Sequence, residues 1–259
     1  METSELTHKH SGVRVTVHRT GSGAPVLFIP GELALLESEK RFLERLGQRF
    51  QVVTAVHPAF YNYDDTVHLE ESEDLAFFYL DLLDALGIPR AHLVGHSLGA
   101  MVAAEIASLD PHYVDRLVLI SPLGMWQEEA PIPDFYVIPR REQRQYCFAD
   151  PESEVAREAL PDRMPNEEVE SAFWQRYAAA GKVLWGLPVN LRLLRRLHRV
   201  KSPTLVIGGE KDRLTAPIYA QLYAQKVPGA DVVLLPGSAH YPHLEEPDAV
   251  LRELERFLG

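Results

Sequence analysis

One short segment of the chain has the residue pattern of a reactive serine. The segment Gly95-His96-Ser97-Leu98-Gly99 matches G-x-S-x-G, in which a serine occupies a sharp turn between a strand and a helix. An apolar run at 91–94 precedes it, and a run rich in alanine follows it. The flanking glycines would let neighbouring backbone approach closely. This context favours a reactive serine hydroxyl fixed in position over an accidental match to the motif in an ordinary turn.

A serine hydroxyl becomes a nucleophile at neutral pH only with a base, and the base needs a carboxylate to orient it. Asp212 follows an apolar run at 204–207, and His240 follows another at 232–235. Like Ser97, both residues come just after a strand-like segment. The order serine, acid, histidine therefore predicts an acyl-transfer site assembled at one edge of a sheet.

The elements that must position these residues are indicated by apolar patterning. Six short, continuous apolar runs are typical of strands covered on both sides by helices; they lie at 26–29, 51–56, 92–94, 117–120, 204–207 and 232–235. Helical spacing of apolar residues predicts helices at 37–49, 71–86, 98–109 and from about residue 248. An alternating segment at 13–17 predicts one strand of an N-terminal antiparallel hairpin.

One long stretch interrupts the alternation of strands and helices. Residues 122–201 contain no strand-like run but many prolines and aromatic residues. A connection of this length in a compact domain is expected to be structured. We therefore predict a core formed by residues 1–121 and 202–259, with residues 122–201 as a helical cap.

These motifs resemble those of the α/β-hydrolase superfamily, in particular its cap-bearing serine esterases and C–C hydrolases. Besides the serine motif, the resemblance includes Gly209-Glu210-Lys211-Asp212 and Gly237-Ser238-Ala239-His240, and it covers nearly the whole chain. It implies an α/β fold with a mostly parallel central sheet, helices on both faces and a helical cap inserted after the sixth strand. The catalytic triad that it implies is Ser97, Asp212 and His240.

The resemblance also implies an oxyanion hole, formed by the backbone N–H groups of Leu98 and Glu32. Two such donors would stabilise the negative charge that develops on the substrate oxygen. The family often has His-Gly in the loop that carries the second donor, whereas this chain has Pro30-Gly31. The retained glycine preserves close backbone approach, but the bonding within the loop must differ.

Other residues near these motifs have functional and structural interpretations. We predict that Trp126, His57 and Phe60 line the substrate pocket. His243 is an alternative base, but the Gly-x-x-His spacing favours His240; we interpret His96 as structural and Cys147 as an inert thiol. The basic residues at the cap exit are interpreted as a solvated helix face, with a clamp for an acidic substrate group as the alternative; they are Arg192, Arg195, Arg196, Arg199 and Lys201.

The predicted activity is hydrolysis of a small to medium, apolar carboxylic ester or lactone through an acyl-enzyme. C–C bond hydrolysis of ring-fission products, thioester hydrolysis and perhydrolysis are alternatives on the same triad. A ligand-sensing protein without turnover is an alternative from another class. We predict no cofactor and no metal, because the sequence has neither a nucleotide-binding loop nor a metal-ligand cluster.

Composition limits the partners that we expect. The 259 residues include 26 basic and 37 acidic side chains, which gives a net charge of −11. This charge disfavours nucleic acid and anionic membranes as partners. A single cysteine excludes an internal disulfide. No secretory signal is visible, so we expect a cytoplasmic monomer or homodimer that acts on a small molecule.

Overall fold

The central element is an eight-stranded sheet. The computed structural model describes residues 1–7, 12, 14–61, 64–65, 69–184 and 189–259. The strands are β1 (Glu2–Thr7), β2 (Arg14–Thr20), β3 (Pro25–Ile29), β4 (Gln51–Ala55), β5 (Ala91–His96), β6 (Val114–Ile120), β7 (Thr204–Gly209) and β8 (Asp231–Leu235). Their order across the sheet is β1-β2-β4-β3-β5-β6-β7-β8. Strands β1 and β2 run antiparallel to their neighbours and the rest are parallel, so the predicted mostly parallel sheet is confirmed.

Helices follow most of the parallel strands. They are α1 (Glu37–Leu46), α2 (Ser72–Ala85), α3 (Leu98–Leu109), α4 (Arg140–Cys147), α5 (Glu154–Ala159), α6 (Glu167–Val183), α7 (Leu191–Arg196), α8 (Ile218–Lys226), α9 (Pro242–Glu245) and α10 (Pro247–Leu258). Helix α3 is the most deeply buried, since its small side chains Ala100, Ala103, Ala104 and Ala107 are all fully covered. Small residues allow a helix to lie close to the sheet. This packing places the first turn of α3 at the carboxyl end of β5.

Residues 122–201, called the cap below, follow the sixth strand and carry helices α4 to α7. Asn166 and Asn190 accept backbone N–H bonds at the starts of α6 and α7, as helix N-caps do. Inside the cap, the side-chain amide of Gln143 donates to the Tyr177 hydroxyl at 2.7 Å and to the Phe135 carbonyl at 3.1 Å. The cap therefore has internal polar contacts of its own; that it forms a separate domain stays a prediction.

Ion pairs join the end of the cap to the core. The Arg196 guanidinium contacts Glu73 on α2 at 3.1 Å and also Glu105, which is fully buried on α3. Arg192 pairs with Glu71. The solvated helix face predicted for this basic stretch is therefore wrong at Arg196, which a buried core carboxylate receives, whereas the Arg192 side chain is 65% exposed, as predicted.

The other strands and helices that the sequence predicts are present in the structure, and only their first and last residues differ. The alternating N-terminal segment corresponds to β2, which begins at Arg14; Val13 lies outside the described residues. Its hairpin partner is β1, where residues 2 to 5 are exposed. In the described part of the chain, no helix combines the length and apolar character needed to cross a membrane.

Candidate active site

Ser97 occupies the turn between β5 and α3 in a strained backbone conformation. Its φ of 53° and ψ of −114° lie in a region that non-glycine residues rarely adopt. The Ser97 N–H donates to the Ile120 carbonyl at 2.9 Å, and the Leu123 N–H donates to the Ser97 carbonyl at 3.3 Å. Strain of this kind, about 1–3 kcal/mol, persists only where surrounding contacts hold the backbone. The turn therefore presents the hydroxyl at a fixed position.

The glycines on both sides of Ser97 are required by close backbone contacts. A Cβ on Gly95 would lie 2.3 Å from the Gly99 carbonyl oxygen. A Cβ on Gly99 would lie 2.1 Å from the carbonyl oxygen of Ile29. Both distances are well inside van der Waals contact, so the close backbone approach predicted at these glycines is confirmed.

Ser97, His240 and Asp212 form a continuous hydrogen-bond chain, although β6 and the cap separate the serine from the other two in sequence. The His240 Nε2 lies 2.9 Å from the Ser97 Oγ, and the His240 Nδ1 lies 2.9 Å from the Asp212 Oδ2. Ser97 and His240 are fully buried, and Asp212 is 5% exposed. With Nδ1–H donating to the carboxylate, Nε2 has a free lone pair for the serine proton. The three residues thus meet as predicted.

The Asp212 carboxylate is held by three further donors from the loop that follows it. The backbone N–H groups of Leu214 and Thr215 each donate to Oδ1 at 2.8 Å. The Thr215 hydroxyl donates to Oδ2 at 2.7 Å. These bonds leave Oδ2 directed at the histidine ring, so Asp212 can fix both the orientation and the tautomer of His240.

Two opposing effects act on the pKa of His240. Burial lowers it, because the imidazolium loses its hydration. The charge of Asp212 and its hydrogen bond to Nδ1 raise it, the charges of Glu32 and Glu245 raise it further, and the resulting pKa lies above the ordinary 6.5. The site therefore favours a proton on His240, which is the state formed when Ser97 loses its proton.

The loop that carries the predicted oxyanion donors packs directly against the serine. A Cβ on Gly31 would lie 3.3 Å from the Ser97 Cβ and 2.8 Å from the His96 Nδ1. The Ala34 N–H donates to the Gly31 carbonyl at 3.0 Å, which closes a turn around Glu32. Leu98 is the first residue of α3. Both predicted donors are thus next to Ser97 in the structure or in sequence, and their oxyanion role stays a prediction.

Residues 26–253 match the alpha/beta hydrolase family. The chain belongs to this family. A relative named as a putative carbamate hydrolase, from Pseudomonas savastanoi pv. phaseolicola, is 30% identical over an alignment of 213 positions that covers 71% of this chain and 74% of the relative. A dihydrolipoyllysine-residue acetyltransferase component of the acetoin cleaving system of Pseudomonas putida is 30% identical over 72% of this chain, which spans only 50% of that relative.

The fold is also shared with solved α/β hydrolase structures. The structure of a membrane phospholipase A, described as a bacterial virulence factor, has a TM-score of 0.81 at 22% identity. The alignment covers 99% of this chain and 86% of that one. At this identity the likeness shows a common fold, which agrees with the predicted architecture.

In this α/β hydrolase, the loop that ends in His240 is held by groups that the sequence analysis missed. The Glu245 carboxylate accepts the Ala239 N–H and the Ala149 N–H, both at 2.7 Å. The His240 N–H donates to the Cys147 carbonyl at 2.9 Å. Since Cys147 and Ala149 belong to the cap, cap and core together position the histidine. The sequence feature that could have indicated this support is the glutamate five residues after His240.

His96 also supports this loop and does not contact the serine hydroxyl as a base would. Its Nε2 donates to the His240 carbonyl at 2.9 Å, and the two rings lie 5.1 Å apart. Burial lowers the pKa of His96 well below its ordinary value, and the neighbouring His243 and His240 lower it further. A neutral His96 that positions the loop agrees with its structural interpretation.

The predicted pocket residues have different surroundings. His57 and Phe60 line a small cavity together with Gly31 and Leu98, beside the predicted oxyanion donors. Trp126 is half-buried and packs against the core, and its role as a pocket residue stays a prediction.

One group of side chains in the described part of the chain could hold a metal ion. Ligand atoms of Glu39, His96 and His243 lie within 4.8 Å of one another, and all three residues are buried. The Glu39 carboxylate is already used, since it lies 3.2 Å from the His243 Nε2 and accepts the Leu36 N–H at 2.9 Å. His243, the alternative base, is thus bonded to Glu39, whereas His240 is bonded to Ser97. The absence of a metal stays a prediction.

Proposed function

We propose that this α/β hydrolase is a serine hydrolase that cleaves a small to medium carboxylic ester or lactone through an acyl-enzyme. The observation that carries the proposal is the buried chain of hydrogen bonds from Asp212 through His240 to Ser97. The strained turn at Ser97 supports it, because backbone strain is typical of reactive positions.

The first half of the reaction forms the acyl-enzyme. The His240 Nε2 takes the Ser97 proton as the serine oxygen bonds to the substrate carbonyl carbon. The N–H groups of Leu98 and Glu32 bind the resulting oxyanion, and each such donor contributes about 3 kcal/mol. The imidazolium then gives its proton to the leaving alcohol oxygen as the C–O bond breaks.

The second half releases the acid. Water loses a proton to the His240 Nε2 and attacks the acyl carbon, which forms a second oxyanion in the same hole. When this intermediate collapses, the bond to the Ser97 oxygen breaks and the serine recovers its proton from His240. Asp212 stays ionised throughout, because its role is to orient and stabilise the imidazolium.

Ester hydrolysis by matched variants tests this proposal. We expect the wild type to hydrolyse p-nitrophenyl esters from acetate to octanoate, and Ser97→Ala to lower kcat/KM by at least about 10⁴-fold. Ser108→Ala is the control, because Ser108 is a buried serine on α3, the helix that follows Ser97, and its hydroxyl donates to the Glu105 carbonyl. Turnover retained by Ser97→Ala, or no ester turnover by the wild type, would contradict the proposal.

A further inference from the structure

The side chain of Glu32 has no use in the mechanism, which needs only its backbone N–H. Glu32 is 4% exposed, and neither carboxylate oxygen has a hydrogen-bond partner in the part of the chain that the structure describes. Buried polar groups are nearly always paired, because an unpaired one loses its hydration without compensation. A carboxylate left in this state points to a partner that comes with a ligand.

The backbone that carries this carboxylate lies beside the predicted reaction site. The residue follows Gly31, whose backbone packs against the Ser97 side chain. The charge of Glu32 also raises the pKa of His240, in addition to the effects of burial and Asp212. Glu32 therefore lies within electrostatic range of the proposed base.

The same charge acts on groups of the cap. Burial raises the pKa of the Tyr136 hydroxyl well above its ordinary value, and Glu32 raises it further. Burial raises the pKa of Tyr177 to about 12, with a smaller contribution from Glu32. The Glu32 charge therefore acts both on His240 in the core and on these two tyrosines in the cap.

A second polar group in this region also lacks a partner. The Tyr136 hydroxyl is buried without a hydrogen bond among the described residues. Its ring meets the Tyr177 ring edge-on, with the centroids 4.6 Å apart. Organic cations bind both to carboxylates, through charge, and to aromatic rings, through the ring faces.

Within the described residues, no lysine, arginine or histidine forms an ion pair with Glu32. In the cap, Arg144 is already paired with Glu152 and Asp162. A protein cation therefore does not compensate the carboxylate in this structure.

We propose that the Glu32 carboxylate binds an ammonium group of the substrate and makes the enzyme selective for esters that carry one. This inference rests on the proposed ester hydrolysis and narrows its substrates to esters that carry an ammonium group, whereas the sequence predicted an apolar ester. Glu32 is then a specificity-determining residue through its side chain, apart from the oxyanion role of its backbone.

Two pairs of esters that differ only in charge test the inference. L-Alanine p-nitrophenyl ester and p-nitrophenyl isobutyrate compare an ammonium with a methyl group on the acyl side. Acetylcholine and 3,3-dimethylbutyl acetate make the same comparison on the alcohol side. We expect the wild type to prefer the cationic member of one pair by about tenfold or more in kcat/KM, as for a charged hydrogen bond or ion contact.

Glu32→Gln keeps the shape of the side chain and removes its charge. We expect it to lower the cationic-to-neutral ratio of kcat/KM by about tenfold or more relative to the wild type. Effects on the oxyanion loop cancel within each ratio, and intrinsic differences in ester reactivity cancel between the two ratios. Glu37→Gln is the matched control, since it makes the same change at an exposed residue of the next helix, and the ratio should be unchanged.

The outcomes separate this inference from the proposed function. A wild type that hydrolyses both members of each pair equally, or a Glu32→Gln variant that keeps the preference, would overturn the inference and leave ester hydrolysis standing. No hydrolysis of any of the four esters would contradict both. If Glu32→Gln does not fold, competitive inhibition of the wild type by tetramethylammonium chloride, and not by sodium chloride, is the expected result; its absence would overturn the inference.

Discussion

The proposed hydrolysis depends on the protonation state of one residue, His240. Asp212 raises its pKa above 6.5 despite burial, and only neutral His240 can accept the serine proton. We therefore expect kcat/KM for a neutral ester to rise with pH, with a midpoint above 6.5 in the free enzyme. A profile of kcat/KM against pH measures this midpoint.

Asp212→Asn tests the cause of this raised pKa. The amide has no charge, so the midpoint should move to lower pH. We also expect kcat to fall by about 10⁴-fold, because the amide no longer selects the productive tautomer. A midpoint that stayed in place in this variant would contradict the role given to Asp212.

Glu245 positions His240 without contacting the serine. Its two carboxylate oxygens each accept one backbone N–H, and Gln offers only one acceptor atom. We expect Glu245→Gln to destabilise the fold by about 1–3 kcal/mol. It should also lower kcat more than it raises KM. Urea denaturation and steady-state kinetics measure the two effects.

Glu246→Gln is the control for this variant. Glu246 accepts a single N–H, that of Gly237, in a more exposed setting, so glutamine can still accept it through its carbonyl oxygen. We expect only a small change in stability and kcat. Equal effects of the two substitutions would show that the bridge between cap and histidine loop has no special importance.

At the scale of elements, the carboxyl end of β7 controls where the histidine loop lies. A Cβ on Gly209 would lie 2.2 Å from the Ala239 carbonyl oxygen, which is backbone and adjoins His240. A Cβ on Gly208 would lie 3.2 Å from the Leu234 Cδ2, the end of a flexible side chain. The two neighbouring glycines thus differ in whether a side chain could be accommodated: backbone blocks it at Gly209, and a movable side chain lies nearby at Gly208.

Alanine substitutions should show this difference. We expect Gly209→Ala to destabilise the fold by about 3 kcal/mol or more and to reduce ester hydrolysis strongly, since the loop must move. Gly208→Ala should cost less than about 1 kcal/mol because the leucine can shift. Urea denaturation of both variants is the measurement, and a Gly209→Ala variant as stable and active as Gly208→Ala would contradict the packing described for the loop.

The elements themselves were largely predictable, because buried strands and amphipathic helices leave apolar patterns. Helix α3 has the predicted bounds 98–109. Strand β1 left no such pattern, since most of its residues are exposed and only pairing with β2 defines it. The ion-pair partners of Arg192 and Arg196 could not be predicted from the sequence either. The contacts of α7 with the distant α2 and α3 depend on how the cap packs on the core.

At the scale of the whole molecule, the site is shared between core and cap. The core supplies the serine turn and the acid loop, while the cap supplies the carbonyl of Cys147 and the N–H of Ala149 that hold the histidine loop. The sequence predicted the triad because each member follows a strand at the same edge of the sheet. It could not predict the unpaired Glu32 carboxylate, because burial and pairing are properties of the folded chain.

Some of the acidic residues behind the net charge of −11 form ion pairs within the fold. Glu71 and Glu73, which begin the second helix, receive arginines of the cap, and the buried Glu105 shares one of them. Burial raises the pKa of Glu105 to about 7, and Arg196 opposes this shift. Acidic composition therefore reflects the attachment of the cap as well as the charge of the surface, and the absence of nucleic-acid or membrane partners stays a prediction.

Labelling with a fluorophosphonate tests the central claim most directly, because this reagent bonds covalently to an activated serine. We expect a single adduct, mapped by mass spectrometry to Ser97, and no adduct in Ser97→Ala. His240→Ala should slow labelling strongly, since the serine then lacks its base. An adduct on another residue, or no adduct on the folded wild-type protein, would contradict the account.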